Sequence, residues 1–589
     1  MKFLIQNKNI LISSVFALIG IMLALGAEPY FLYVATSWLI FGILGLSLDL
    51  VWGKAGILSL GQTIFYGLGG YGGAIVAINF SSVFGNTLLL AIPAGILIGA
   101  LLSGIIGAIM FYGRMGQLQV TILTYTLTLI VWTFSVSFSY KIGDAVIGGD
   151  NGMSNIPEMI LSFGKEAAGL NEHEMFFSVL VIAIASLAFC QYLMKTPFGK
   201  VIECIRLDIQ KTELLGYNVR KYQTIIFTIA GALSGLAGAL FALWGNYLNP
   251  NIFSVNEALL VPIYVLVGGI GSLIGPFLGA IGVGALSFYL GGFEGGQATL
   301  VIGVILILMV LFFDKGLTGI VGNILRFISK AEENKEKPLS IDVGAYEDFA
   351  KTPPKILKTE NAYKSFGGVV PVNDISLEFG SGKVSCIIGP NGAGKSSYLR
   401  VCAGVYDAEK GNVYLGDHNV THWQLARRVH EGLGIKMQKP QVFTTFSIRE
   451  NIWIAAYSRC QSKNSADQIT DNMLKILGGK EQGEKMVSTL SHGEQQWLDI
   501  VMVLSLSPSV ILFDEPAAGM TKDERKELSG LIVKLSKYKT IILVEHDMDF
   551  VKSLDPNVTV LHQGKVFASG SIEEMHKDER ILDIYLGRK

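Results

Sequence analysis

VSCIIGPNGAGKSSYLRVCAG, residues Val384 to Gly404, decides how this chain is read. An apolar β-run enters a glycine-rich turn and a helix starts at its end, which is the setting of a phosphate-binding loop. Backbone N–H groups from Gly392 to Lys395, together with the helix N-terminus, are expected to hold phosphate oxygens. Lys395 is placed to reach the β and γ oxygens, Ser396 to bind Mg2+, and Ser397 to meet a neighbouring phosphate oxygen. Gly389, Asn391, Gly392, Ala393 and Gly394 complete the cradle. Downstream, ILFDEP at Ile511 to Pro516 closes an apolar strand. Asp514 then emerges as a second Mg2+ partner, and Glu515 stands where a general base polarises attacking water. These residues predict an α/β P-loop domain that binds and hydrolyses ATP.

Everything before this domain has a different composition. Of 589 residues, 50% are hydrophobic and only 16% charged, and the mean hydropathy is +0.46. That is far from soluble composition, so part of the chain belongs in lipid. A net charge of −1 gives no electrostatic footprint for nucleic acid, and that class of partner is set aside. The five cysteines show neither CxxC nor zinc spacing and are read as small buried residues in a reducing compartment. Lys2 and Lys8 precede an apolar run with no convincing cleavage site after it, so the first helix is expected to be retained.

Apolar stretches long enough to cross a bilayer run over 10–26, 31–51, 56–78, 87–112, 118–140, 175–194, 225–244 and 299–313. Between the last two, GGIGSLIGP at Gly268 to Pro276 interrupts Leu259 to Leu290, which predicts two short or broken helices. The expectation is an all-α polytopic membrane domain of about ten helices. Basic residues Lys2, Lys8, Lys54, Arg114, Lys195 to Lys221, Lys315 and Arg326 fall in alternate connections, which therefore face the cytoplasm. The acidic stretch Lys141 to Glu174 faces outward and is long enough to dock a partner. Glycines in GLGGYGG and GALSGLAGAL point to close helix packing. Asp49, in an apolar run, is expected to snorkel to the inner interface or pair with Lys54. Thr196 to Gln223 carries Ile202, Ile205, Ile209, Leu214 and Leu215 between charges and predicts a short amphipathic helix that fits an ATPase groove. Lys330 to Pro354 is charged and proline-punctuated, giving a division into a membrane domain 1–329, a flexible tether 330–354 and an ATPase domain 355–589.

With the phosphate loop, LSHGE at Leu490 to Glu494 and His546 in VEHD in this order, the chain from about 356 to 589 resembles the ABC transporter ATPases. The resemblance implies paired cassettes, in which Ser491 and the Gly493 amide contact the γ-phosphate of ATP on the other cassette. It further implies that Gln438 in KMQKP senses Mg2+ and the coupling helix, that His546 touches the γ-phosphate, and that Phe366 stacks on adenine. His492, usually glycine, and Thr521, often aspartate, depart from the pattern. The membrane part, through Gly45 to Tyr71, Thr196 to Tyr222 and Leu266 to Ala280, resembles LivM-type permeases of the branched-chain amino acid and amide importers. KMQKPQVF, LSHGEQQWLDI, DEPAAGMT, SLDLVWG and the terminal IYLGR point to the urea-type branch, with a LivG-type ATPase. Gln62 stands where these permeases often carry histidine, and GGDNGM at Gly148 to Met153 matches only loosely. The family implies a multi-pass protein of the bacterial inner membrane with a cytoplasmic ATPase. A LivH-type permease, a LivF-type ATPase and an extracytoplasmic binding protein would be its partners. Urea or a small amide is the expected cargo, with branched-chain amino acids as the alternative; export or a nucleotide-switch signalling role is the reading from a different class.

Overall fold

The computed structural model describes residues 8–160, 169–290, 303–304, 307, 311–312, 316–320, 339–346 and 352–577. The chain forms two compact units, Met1–Arg206 with Val219–Glu333, and Leu207–Asn218 with Asn334–Lys589. Most of the expected span over 299–313, the terminal IYLGR, Lys315, Arg326 and most of the tether lie outside the described residues.

The first unit is a helical bundle. Its helices are α1 (Lys8–Gly26), α2 (Pro29–Asp49), α3 (Gln62–Phe84), α4 (Thr87–Tyr112), α5 (Gln117–Ser137), α6 (Glu172–Lys195) and α7 (Pro197–Leu207). After α8 (Ile209–Leu214), which belongs to the second unit, come α9 (Val219–Gly245), α10 (Val255–Gly268) and α11 (Gly275–Leu290). Among the described residues, six helices are long and apolar enough to cross a membrane, and α10 and α11 are the shorter pair expected from the glycine-rich break. The bundle is not purely helical: β1 (Ser139–Ile142) and β2 (Ala145–Gly148) form a hairpin. Asn79 fastens it, donating to Ile142 O at 3.1 Å and accepting from Asp144 N at 2.7 Å.

Glycines set how closely α3, α4 and α9 approach. A Cβ on Gly69 would lie 2.4 Å from Gly235 Cα, one on Gly99 2.2 Å from Gly231 O, and one on Gly235 2.1 Å from Gly95 O. In lipid such backbone contact replaces the hydrophobic drive that assembles soluble cores. Overpacking of this kind costs about 1–3 kcal/mol, so Gly235→Ala is expected to lower the unfolding midpoint of the detergent-solubilised chain by several degrees. An unchanged midpoint would contradict the close approach.

Two expectations need correction. The crossing placed at 56–78 begins six residues late, because Gly56 takes φ +74° and the chain runs non-helically to Gly61. Thr121 and Thr128 hydroxyls on α5 donate to Leu58 O (2.8 Å) and Leu60 O (3.3 Å), and Leu60 N donates to Thr124 Oγ1 (3.2 Å). These α5 partners supply hydrogen bonds that the non-helical stretch cannot make within itself. Asp49 neither snorkels nor pairs with Lys54. It is fully buried and accepts from Gly271 N at 2.5 Å and Leu273 N at 2.8 Å, closing the break between α10 and α11, while Lys54 meets Glu203 at 3.5 Å.

The second unit is an α/β domain with two sheets. β3 (Leu357–Phe366), β4 (Val369–Phe379), β6 (Lys410–Leu415) and β7 (His418–Asn419) form an antiparallel sheet in the order β4-β3-β6-β7. β5 (Ser385–Ile388), β8 (Leu433–Lys436), β9 (Val510–Asp514), β10 (Thr540–Val544), β11 (Asn557–His562) and β12 (Lys565–Ser571) form the other, ordered β12-β11-β5-β10-β9-β8. Strands β11, β5, β10, β9 and β8 run parallel, and β9 and β10 are wholly buried, as both-face-covered strands must be. Part of the expected tether sits on this unit: Leu339 N donates to Glu494 Oε1 at 2.8 Å, Asp342 N to Ile476 O at 2.9 Å, and Thr352 Oγ1 to Ser507 O at 2.8 Å.

Candidate nucleotide site

Four neighbouring parallel strands, β5, β10, β9 and β8, end on one side of the sheet, where ligands of such sheets bind. The sequence places a different chemical group after each. Beyond β5 lies the glycine loop, beyond β10 His546, beyond β9 Glu515, and beyond β8 Gln438. Residues scattered over about 150 positions thus become one row because strand order, not sequence order, sets their spacing.

The loop is shaped by its glycines. Gly389, Gly392 and Gly394 take φ of +150°, +80° and +98°, and Gly394 caps the helix α12 (Lys395–Ala403). A Cβ on Gly394 would lie 1.8 Å from Pro371 O, so no other residue fits there. Asn391 is exposed and Ala393 buried, with Ala393 N donating to Pro390 O. Lys395 folds back along the loop, donating to Gly389 O at 2.8 Å and Pro390 O at 3.0 Å; burial pushes its pKa down. Ser397 is half-buried on the first turn of α12.

Ser396 Oγ donates to Asp514 Oδ1 at 3.0 Å, and Asp514 Oδ2 is buried without a hydrogen-bond partner. Burial raises the Asp514 pKa. A hydroxyl beside an orphaned carboxylate oxygen is the hard-oxygen donor set that suits Mg2+. Glu515 adopts φ +46°, a left-handed conformation costing on the order of 1–3 kcal/mol. Its Oε2 accepts from Gln438 Nε2 at 2.7 Å and lies 3.4 Å from His546 Nδ1, so the three predicted catalytic side chains converge on one oxygen.

Ser491 and Gly493 lie elsewhere, at the start of α16 (His492–Ser505), after α13 (Leu425–His430), α14 (Ile448–Cys460) and α15 (Lys463–Ile476). Ser491 is the N-cap, its oxygen accepting from Glu494 N at 3.3 Å. The His492 ring covers Gly519, where a Cβ would lie 2.6 Å from it, and Thr521 caps α17 (Lys522–Ser536) with Glu524. Phe366, 46% exposed at the end of β3, packs edge-on against Tyr406 at 5.0 Å, with Lys364 Nζ over its ring at 5.3 Å.

Two sets of side-chain bonds escaped the sequence reading, although it expected the stretch around Lys211 to meet the ATPase. Gln496, one turn into α16, spans Gln438 O (3.4 Å) and Ala518 O (3.3 Å), tying the loop after β8 to the loop after β9. The segment Leu207–Asn218 belongs to this unit, and the expected single amphipathic helix is instead two, because Asp208 caps α8 by accepting from Lys211 N at 2.8 Å. Ile209, expected on the buried face, is exposed. Lys211 is 1% exposed and pairs directly with Asp499 of α16, itself fully buried, whose other oxygen accepts from Gln441 N at 3.2 Å. Tyr217 donates to Ile454 O at 2.7 Å.

The profile of the family described as "ABC transporter" matches residues 372–518, and that described as "Branched-chain amino acid transport system / permease component" matches 30–312. The energy-coupling factor transporter ATP-binding protein EcfA1 of Mycoplasma mobile is 31% identical over 240 residues, 40% of this chain and 87% of that protein. This chain belongs to the ABC transporters. The high-affinity branched-chain amino acid transport ATP-binding protein LivG of Salmonella typhimurium is 29% identical over 251 residues, 39% of this chain and 98% of LivG. A solved nucleotide-free ATP-binding cassette of an ABC transporter aligns with 26% identity, 39% of this chain, 98% of that one and a TM-score of 0.36. The transporter is therefore a helical permease fused to an ATP-binding cassette, an ATP hydrolase whose reaction is coupled to transport.

Proposed function

We propose that this ABC transporter is the fused permease and ATP-binding subunit of an importer for urea or a related small amide. The observation that carries the coupling is the Lys211–Asp499 pair, which fastens a segment continuous with α7 and α9 to α16, the helix that Ser491 caps and whose first turn holds Gly493. Urea rests on KMQKPQVF, LSHGEQQWLDI and SLDLVWG, and on a bundle poor in intramembrane charge, since urea needs only neutral hydrogen-bond partners. Branched-chain or other small amino acids are the second reading, favoured by the permease profile and LivG.

In this reading the Lys395 side chain and the backbone amides of Gly392 to Lys395 hold the ATP phosphates, Ser397 meets a neighbouring phosphate oxygen, and Phe366 stacks on adenine. Ser396, Asp514 and Gln438 hold Mg2+, which when bound neutralises phosphate charge. Glu515 takes a proton from water, with His546 and Gln438 orienting it. Ser491 and Gly493 serve ATP held by a second cassette, expected to be LivF-type. A LivH-type permease and an extracytoplasmic binding protein complete the assembly in a bacterial inner membrane, with the cassette cytoplasmic and a division near 1–329, 330–354 and 355–589. Uptake of labelled urea against labelled leucine by the reconstituted complex tests the cargo. Urea is expected to accumulate with ATP; accumulation of leucine alone, uncompeted by urea, overturns the urea reading.

A further inference from the structure

The bundle holds polar groups that its own packing leaves unsatisfied. Gln62, on the first turn of α3, is 2% exposed; its Oε1 accepts from Ser234 Oγ of α9 at 2.8 Å and from Ser47 Oγ of α2 at 3.4 Å, yet its Nε2 has no partner. Four residues on, and so on the same face, Tyr66 is also 2% exposed, and its hydroxyl has no partner either. Its ring rests on Phe241 at 5.7 Å. The Glu257 carboxylate of α10 acts electrostatically on the Tyr66 and Tyr264 hydroxyls, is half-buried, and has no hydrogen-bond or ion-pair partner among the described residues. Tyr264, seven residues after Glu257 and on the same face of α10, is 7% exposed and packs on Phe41 at 6.0 Å.

Hydrogen bonding between helices accounts for Ser47, Ser234 and one end of Gln62. It does not account for the rest. A buried donor without a partner costs about 1–3 kcal/mol, and an unpaired carboxylate inside a bundle is costlier still. A bundle selected only for packing would carry phenylalanine at 66 and an apolar residue at 257.

We infer that Gln62, Tyr66, Tyr264 and Glu257 line the translocation path and recognise a small solute that carries N–H donors beside an oxygen acceptor. The inference rests on the import reading above and names the chemistry of its cargo. Glu257 accepts N–H groups, while Gln62 Nε2 and the Tyr66 hydroxyl donate to the solute's oxygen. Two solutes share this pattern: a neutral amide such as urea, and the ammonium and carboxylate of an amino acid.

The test uses the full chain with its partner subunits and binding protein in proteoliposomes, with labelled urea and labelled leucine as probes. Tyr66→Phe is expected to raise the half-saturating concentration of the transported probe about tenfold, the loss of one hydrogen bond, while its melting temperature stays level or rises, since no protein hydrogen bond is lost. A structural role for the hydroxyl predicts the reverse, a lower melting temperature with unchanged saturation. Glu257→Gln distinguishes the solutes. Loss of leucine uptake marks ammonium recognition, and a weakened urea uptake marks the amide; unchanged uptake of the transported probe in both variants overturns the inference. If the wild-type assembly carries neither probe, the import reading for these cargoes fails. The melting temperature of Tyr66→Phe then decides the present inference alone, a fall overturning it and a level or raised value sustaining it.

Discussion

Glu515→Gln is expected to slow ATP hydrolysis by about 10²- to 10⁴-fold, the usual worth of a positioned general base, while ATP still binds. The amide has nearly the shape of the carboxylate, so the left-handed turn at Glu515, its backbone bond to Val544 O at 2.9 Å and the neighbouring Asp514 are retained. What disappears is the basic oxygen on which Gln438 and His546 converge. Phosphate release by the purified chain, beside equilibrium binding of a labelled nucleotide, checks this. Undiminished hydrolysis would remove Glu515 as the base. Lost binding would show that the carboxylate shapes the loop rather than acting in the chemistry.

Lys211→Met is expected to separate hydrolysis from transport. The substitution leaves Asp499 buried and without its cation, and breaking such a pair costs about 3–5 kcal/mol. Leu207–Asn218 would then lose its hold on α16, although Tyr217 and Gly216 still contact the cassette. ATP turnover should continue while substrate carried per ATP falls several-fold. The double variant Lys211→Met with Asp499→Leu should recover part of that ratio, because two apolar side chains of similar volume avoid the stranded charge. A single variant that moves substrate at the wild-type ratio would make the pair ordinary packing. Asp499 also accepts from Gln441, three residues after Gln438, so the fastening point lies beside the loop that reaches Glu515.

The elements that carry the candidate nucleotide site were legible because their sequence signals are local. GPNGAGKSS holds its glycines, lysine and hydroxyls within nine residues, and ILFDEP ends a strand whose apolar run is visible without any partner. The helix break at GGIGSLIGP was legible for the same reason. What escaped were bonds between distant residues. Asp49 meets Gly271 across 222 positions and Lys211 meets Asp499 across 288, and no local pattern encodes either. The late start of α3 was hidden differently, since its cause, the threonines at 121, 124 and 128, lies on another helix, where they read as mildly polar members of an apolar run. A cue existed at Lys211: it occupies a buried position on a short helix, which a lysine holds only when paired.

The most direct test of the account joins the two units in one experiment. The complete assembly, in sealed proteoliposomes with ATP on the cassette side, is given labelled urea and labelled leucine, and accumulation is measured together with phosphate release, for wild type and for Glu515→Gln. The account predicts that accumulation of a probe follows hydrolysis and that both cease together in the variant. Wild-type hydrolysis at full rate with no probe crossing the membrane, or accumulation that persists in the variant, would contradict it.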